Sequence, residues 1–168
     1  MGKIGIVLGV VLMVFSKAGA AELKVGSLAP EFTAPASDGS QVHLEEWLNR
    51  APIVLYFYPK DDTPGCTKEA CGLRDDFAAF RTLKATVFGI SFDSIESHRK
   101  FIEKYRLPFL LLSDTDKSIA KAYGAGGLLF ASRQSFIIDK AGRLVYINRS
   151  VTPATHSAEL QAVLSQLK

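Results

Sequence analysis

Cysteine is scarce in this 168-residue chain: there are two, Cys66 and Cys71, five residues apart. Two are too few for a small scaffold stapled by disulfides. Basic runs are missing, as is any interleaving of basic and aromatic side chains, which excludes a nucleic-acid surface. The three histidines, His43, His98 and His156, are scattered and form no ligand spacing with the cysteines, so no metal site is expected. Gly124-Ala125-Gly126-Gly127 does not join a strand to a helix as a phosphate loop must. It reads as a loop, and no organic cofactor is expected. Asn148-Arg149-Ser150 is a glycosylation sequon only in a eukaryotic secretory route. No internal repeat, low-complexity stretch or linker divides the chain.

Long apolar runs are also few. Ile4–Phe15 has twelve residues, short of the about 20 that span a bilayer. It follows Lys3 and precedes Ser16-Lys17-Ala18-Gly19-Ala20-Ala21, a small-x-small pattern. Residues 1–20 are expected to be a signal peptide, cleaved after Ala20 or Ala21, with an uncleaved anchor as the alternative. No cysteine follows the run, which argues against a lipoprotein. Residues 21–168 then form the mature domain. Its loss of Lys3 and Lys17 leaves 18 basic against 17 acidic residues, too balanced to steer an ionic partner. Both methionines, Met1 and Met13, leave too, which suits a protein that meets oxidants.

What is present is enough for one domain with a core, at 48% hydrophobic residues. Ile53–Tyr58 is apolar throughout, as in a strand covered on both faces. Thr86–Phe92, Phe109–Leu112, Ser135–Asp139 and Leu144–Asn148 read as further strands, the last two joined by the turn Lys140-Ala141-Gly142-Arg143. Leu28–Leu44, with its turn Ser37-Asp38-Gly39-Ser40, reads as a short hairpin, and Glu45–Arg50 as a brief helix. Helices are expected over Thr67–Leu83, from the cap Ser94 to Tyr105, over Lys117–Tyr123 and over Ser157–Leu167. The order predicts an α/β sheet with helices on both faces, an N-terminal hairpin and one antiparallel edge.

Both cysteines fall in Pro59-Lys60-Asp61-Asp62-Thr63-Pro64-Gly65-Cys66-Thr67-Lys68-Glu69-Ala70-Cys71, directly after the central strand. Cys66 thus stands where a strand hands over to a helix. The unpaired N–H groups and dipole of a helix start favour an anion, which biases a thiol toward the reactive thiolate.

Pro59-x-x-x-Thr63-x-x-Cys66 resembles the active-site signature of the peroxiredoxins, and Gly65-Cys66-Thr67-x-Glu69-Ala70-Cys71 resembles their Q type, also called bacterioferritin comigratory protein. Gly26-x-x-Ala29-Pro30-x-Phe32, Asp38-Gly39, Arg133-Gln134-Ser135-Phe136-Ile137-Ile138-Asp139 and Val151-x-Pro153-x-x-His156 are similar to further family segments, in order, over residues 25–168. The resemblance implies a thioredoxin-like fold with a mixed sheet. It implies thiol-dependent reduction of hydrogen peroxide and organic hydroperoxides, without metal or bound cofactor.

On that reading Cys66 is the nucleophile and Cys71 the resolving thiol, which joins it in an intramolecular disulfide. The Thr63 hydroxyl reaches the sulfur or the peroxide, and Arg133 supplies a fixed positive charge for the departing oxygen. Pro59 and Pro64 stiffen the loop, Gly65 lowers the barrier to melting the helix start, and Glu69 orients Arg133. A thioredoxin-like dithiol protein recycles the disulfide. The expected protein is exported to the bacterial periplasm, a monomer or weak dimer with no stable membrane association once the leader is gone. A thioredoxin-like disulfide oxidoreductase is the enzyme alternative, although such enzymes carry C-x-x-C. A non-catalytic exported domain with one structural disulfide is the other.

Overall fold

Strand β3, Ile53–Phe57, is the centre about which the chain is organised. In the computed structural model, which describes residues 22–167, all five of its residues are buried. Alternation sends Ile53, Leu55 and Phe57 into one core and Val54 and Tyr56 into another. Its apolar run is therefore the mark of a strand with both faces covered. The expected leader, residues 1–20, lies outside the described residues.

A two-stranded hairpin comes first, β1 (Thr33–Pro35) antiparallel to β2 (Gln41–His43). It is followed by a 3₁₀ turn, Leu44–Glu46, where a helix over 45–50 was expected. After β3 come helices α1 (Pro64–Asp75) and α2 (Phe77–Thr82), strand β4 (Thr86–Ser91), helix α3 (Ile95–Tyr105), strand β5 (Leu110–Ser113) and helix α4 (Ser118–Tyr123). The hairpin β6 (Gln134–Ile138) and β7 (Leu144–Asn148) and helix α5 (His156–Leu164) complete the order.

The five-stranded sheet runs β5-β4-β3-β6-β7. Strands β3, β4 and β5 are parallel, whereas β6 is antiparallel to both β3 and β7. The antiparallel pairings thus occupy one side of the sheet, from β3 through β6 to the edge strand β7. One core packs the hairpin and α4 against the sheet, and the other packs α1, α2, α3 and α5. This is the mixed α/β sheet with an N-terminal hairpin that the sequence led us to expect, and it brings Arg133 and the end of β3 together: the register pairs Phe57 with Gln134, so the residue before β6 lies beside the loop that leaves β3.

The single helix expected over 67–83 is two. The break falls at Asp76, whose backbone sits at φ −93°, ψ 9°. Asp76 Oδ2 accepts a bond from Ser157 Oγ at 2.7 Å, which ties the break to α5.

Candidate active site

Helix α1 begins at Pro64, two residues before Cys66. Proline has no N–H and a fixed φ, so the first helical position suits it. Thr63 is the N-cap, and its carbonyl accepts the first helical bond from Thr67 N–H at 2.8 Å. Its side chain does not cap. The Thr63 hydroxyl donates instead to the Lys60 carbonyl at 3.0 Å, so in this state it does not serve the sulfur as expected.

The loop between β3 and α1 is fastened to α3. Asp61 is buried; its carboxylate accepts from Tyr58 Oη and Ser97 Oγ, each at 2.7 Å, and meets His98 Nδ1 at 2.9 Å. The Asp61 amide donates to Asp93. Asp62 sits at φ +55°, a region aspartate tolerates better than most residues, and pairs with Lys104 at 2.7 Å and Tyr105 Oη at 2.6 Å. Half-buried Pro59 lies within this pinned segment.

Cys66 is 1% exposed, and its Sγ accepts a bond from Arg133 Nη2 at 3.2 Å. Arg133 Nη1 pairs with Glu69 Oε2, so one guanidinium bridges the sulfur and a carboxylate one turn along α1. Burial opposes the Arg133 charge, but Glu69 and the Cys66 sulfur outweigh it and raise the guanidinium above its ordinary value. Gly65 lies under this bridge: a Cβ there would stand 3.3 Å from Arg133 Nη2. The other Glu69 oxygen, Oε1, is 2.9 Å from His156 Nδ1, within ion-pair distance but not aligned as a hydrogen bond. Tyr56 completes the surroundings. Burial first, and then the Glu69 carboxylate, push its phenol well above the ordinary value, so it stays neutral.

Cys71 is half-buried, and both thiols are free. They share the unbroken helix α1, which by helix geometry separates their Cα atoms by roughly 8.7 Å. A disulfide needs less than about 7 Å.

The profile of the AhpC/TSA family matches residues 25–147. The chain belongs to the AhpC/TSA family. Among its relatives in that family, "Peroxiredoxin Q, chloroplastic" of Oryza sativa subsp. japonica is 44% identical over 146 residues, 84% of this chain and 67% of that protein. "Peroxiredoxin Q, chloroplastic" of Sedum lineare is 42% identical over 153 residues, 88% of this chain and 81% of that one. The crystal structure of peroxidoxin BcpB from Mycobacterium tuberculosis superposes with a TM-score of 0.83 at 33% identity, covering 87% of this chain and 99% of that one. As an AhpC/TSA peroxiredoxin the chain is an oxidoreductase, a thiol-dependent peroxidase.

The structure brings Cys66, Gly65, Glu69 and Arg133 of this peroxiredoxin together, and holds Thr63 and Pro59 in the loop before them. Cys71, five residues along the helix, is turned by about 140° from Cys66 about the axis of α1. Sequence reasoning missed His156, Asp61 and His98. His98 carried a signal, since it falls three residues before Phe101 and four before Ile102 on the apolar face of α3. His156 carried only its place in a family segment.

Proposed function

We propose that the chain reduces hydrogen peroxide and organic hydroperoxides through Cys66. The thiolate attacks one peroxide oxygen, the O–O bond breaks, and the departing alkoxide or hydroxide takes up a proton, leaving Cys66 as a sulfenic acid. Arg133 offers its charge and N–H groups to the negative charge that develops on the departing oxygen. Thr63, whose proton is engaged by the Lys60 carbonyl, is left as an acceptor for the hydroperoxide O–H. Glu69 holds Arg133, Gly65 leaves room for it, and Pro59 and Pro64 keep the loop stiff and dry.

Cys71 then attacks the sulfenic sulfur. Water leaves and an intramolecular Cys66–Cys71 disulfide forms. Because the intact helix keeps the thiols apart, residues 66–72 unwind for this step. A thioredoxin-like dithiol protein exchanges with the disulfide and restores both thiols. Residues 21–168 are the catalytic domain, exported to a bacterial periplasm by a leader at 1–20. The domain works as a monomer or weak dimer with no stable membrane association, and the donor is a dithiol protein of the same compartment.

The contact between Arg133 Nη2 and Cys66 Sγ, 3.2 Å at the first turn of a helix, carries this reading. Its test is peroxide consumption with a dithiol-protein donor. The wild type is expected to turn over, and Cys66→Ser to be inactive but folded. Turnover by Cys66→Ser defeats the assignment. Insulin reduction without peroxide turnover would instead mark a disulfide oxidoreductase.

A further inference from the structure

Four buried side-chain polar atoms among the described residues lack a hydrogen-bond partner: Tyr56 Oη, Glu69 Oε1 and both ring nitrogens of His156. They belong to one neighbourhood. His156 Nδ1 is 2.9 Å from Glu69 Oε1, and the Tyr56 and His156 rings lie 6.1 Å apart. A buried polar group without a partner carries the penalty of its lost water. An apolar side chain at position 156 would avoid that penalty, so a histidine fully enclosed there needs a reason.

His156 is the first residue of α5, and that first turn meets α1 at one point and the break after α1 at another. His156 faces Glu69, and Ser157 Oγ donates to Asp76 Oδ2 at 2.7 Å. Glu69 lies inside the stretch that must unwind for Cys66 and Cys71 to meet. Asp76 lies beyond it. One contact therefore has to open in each cycle while the other can stay closed.

We propose that His156 is a positioning residue for the peroxide reaction and the latch on the unwinding of α1. The proposal rests on the roles given above to Cys66 and Cys71. From 2.9 Å, the enclosed imidazole stands against one Glu69 oxygen and keeps the carboxylate from turning away. The other oxygen then holds Arg133 against the sulfur. The same contact keeps α1 wound after Cys66 has become a sulfenic acid. Two fates compete at that point. Cys71 can displace water to give the disulfide, which needs the latch open. A second peroxide can add an oxygen to give a sulfinic acid and release an alcohol or water, which occurs in the wound helix.

The test is a single turnover without reductant, over a range of peroxide concentrations. It reads the rate of Cys66 oxidation and, by mass spectrometry, the fractions ending as disulfide and sulfinic acid. His156→Leu is expected to slow the first step about fivefold or more by loosening Arg133. It is also expected to lower the sulfinic fraction at high peroxide by roughly threefold, through a shifted local opening equilibrium. His156→Gln, which keeps a polar N–H group facing Glu69, should recover most of both and serves also if the leucine variant folds poorly. Leu164→Ala loosens α5 without touching Glu69 and should lower Tm with both readouts unchanged. Wild-type values in both readouts for His156→Leu and His156→Gln overturn the latch, as do equal shifts in Leu164→Ala. A wild-type chain that consumes peroxide without forming the Cys66–Cys71 disulfide defeats the underlying assignment instead.

Discussion

The guanidinium of Arg133 spans two residues of one helix, donating through Nη2 to Cys66 Sγ at 3.2 Å and pairing through Nη1 with Glu69. The sulfur and the carboxylate are three residues apart and so lie on one face of α1. A planar fork holds its donors in a fixed geometry that fits both at once; a lysine ammonium on its flexible stem does not reproduce that geometry.

Arg133→Met is therefore expected to slow the reaction with peroxide by more than about tenfold, since a charge aimed at a departing oxyanion in a dry site is lost. Arg133→Lys should recover little. Stopped-flow rates for both variants check this. Unchanged rates would make Arg133 a mere surface charge.

Gly65→Ala separates stability from activity. Alanine within a helix is favoured over glycine by roughly 0.5–1 kcal/mol. The new Cβ would press on Arg133 Nη2 from 3.3 Å. The variant is expected to melt no lower than the wild type yet react with peroxide roughly threefold or more slowly, because the guanidinium must shift. A stable variant with full activity would remove Gly65 from the site.

His98→Ala should destabilise the fold by roughly 2–4 kcal/mol, read from denaturant unfolding, because it leaves the buried Asp61 carboxylate without one partner and opens a cavity. A loss below about 1 kcal/mol would show that Tyr58 and Ser97 satisfy Asp61 alone.

Local unwinding has its own signature. In the disulfide form, amide exchange should rise over residues 66–72 while β3 and β4 keep their protection. Full protection from Cys66 onward in that form contradicts the resolving step.

The local features of this fold were legible in the sequence for local reasons. Ile53–Phe57 shows its burial because every residue in it is apolar. The reversal at Lys140–Arg143 carries Gly142, which sits at φ +77°. The start of α1 could have been read from Thr63-Pro64, a cap followed by a first-turn proline. The break at Asp76 left no trace, because Leu73, Phe77 and Phe80 keep their helical spacing across it. The placing of β6 beside β3 depends on partners far apart in the chain, as do the Asp61–His98 and Glu69–His156 contacts. Periodicity marks a position as buried. It does not say which buried group it will meet.

The most direct test of the account is stoichiometric. The reduced chain is mixed with an equivalent of hydrogen peroxide, quenched by alkylation and mapped by peptide mass. The account predicts loss of both thiols into one Cys66–Cys71 disulfide in the wild type. It predicts an alkylatable Cys71 with an oxidised Cys66 when resolution is outpaced. Cys71→Ser should consume about one peroxide per chain and then stall as a sulfenic acid. A chain that consumes peroxide with Cys66 still reduced would contradict it.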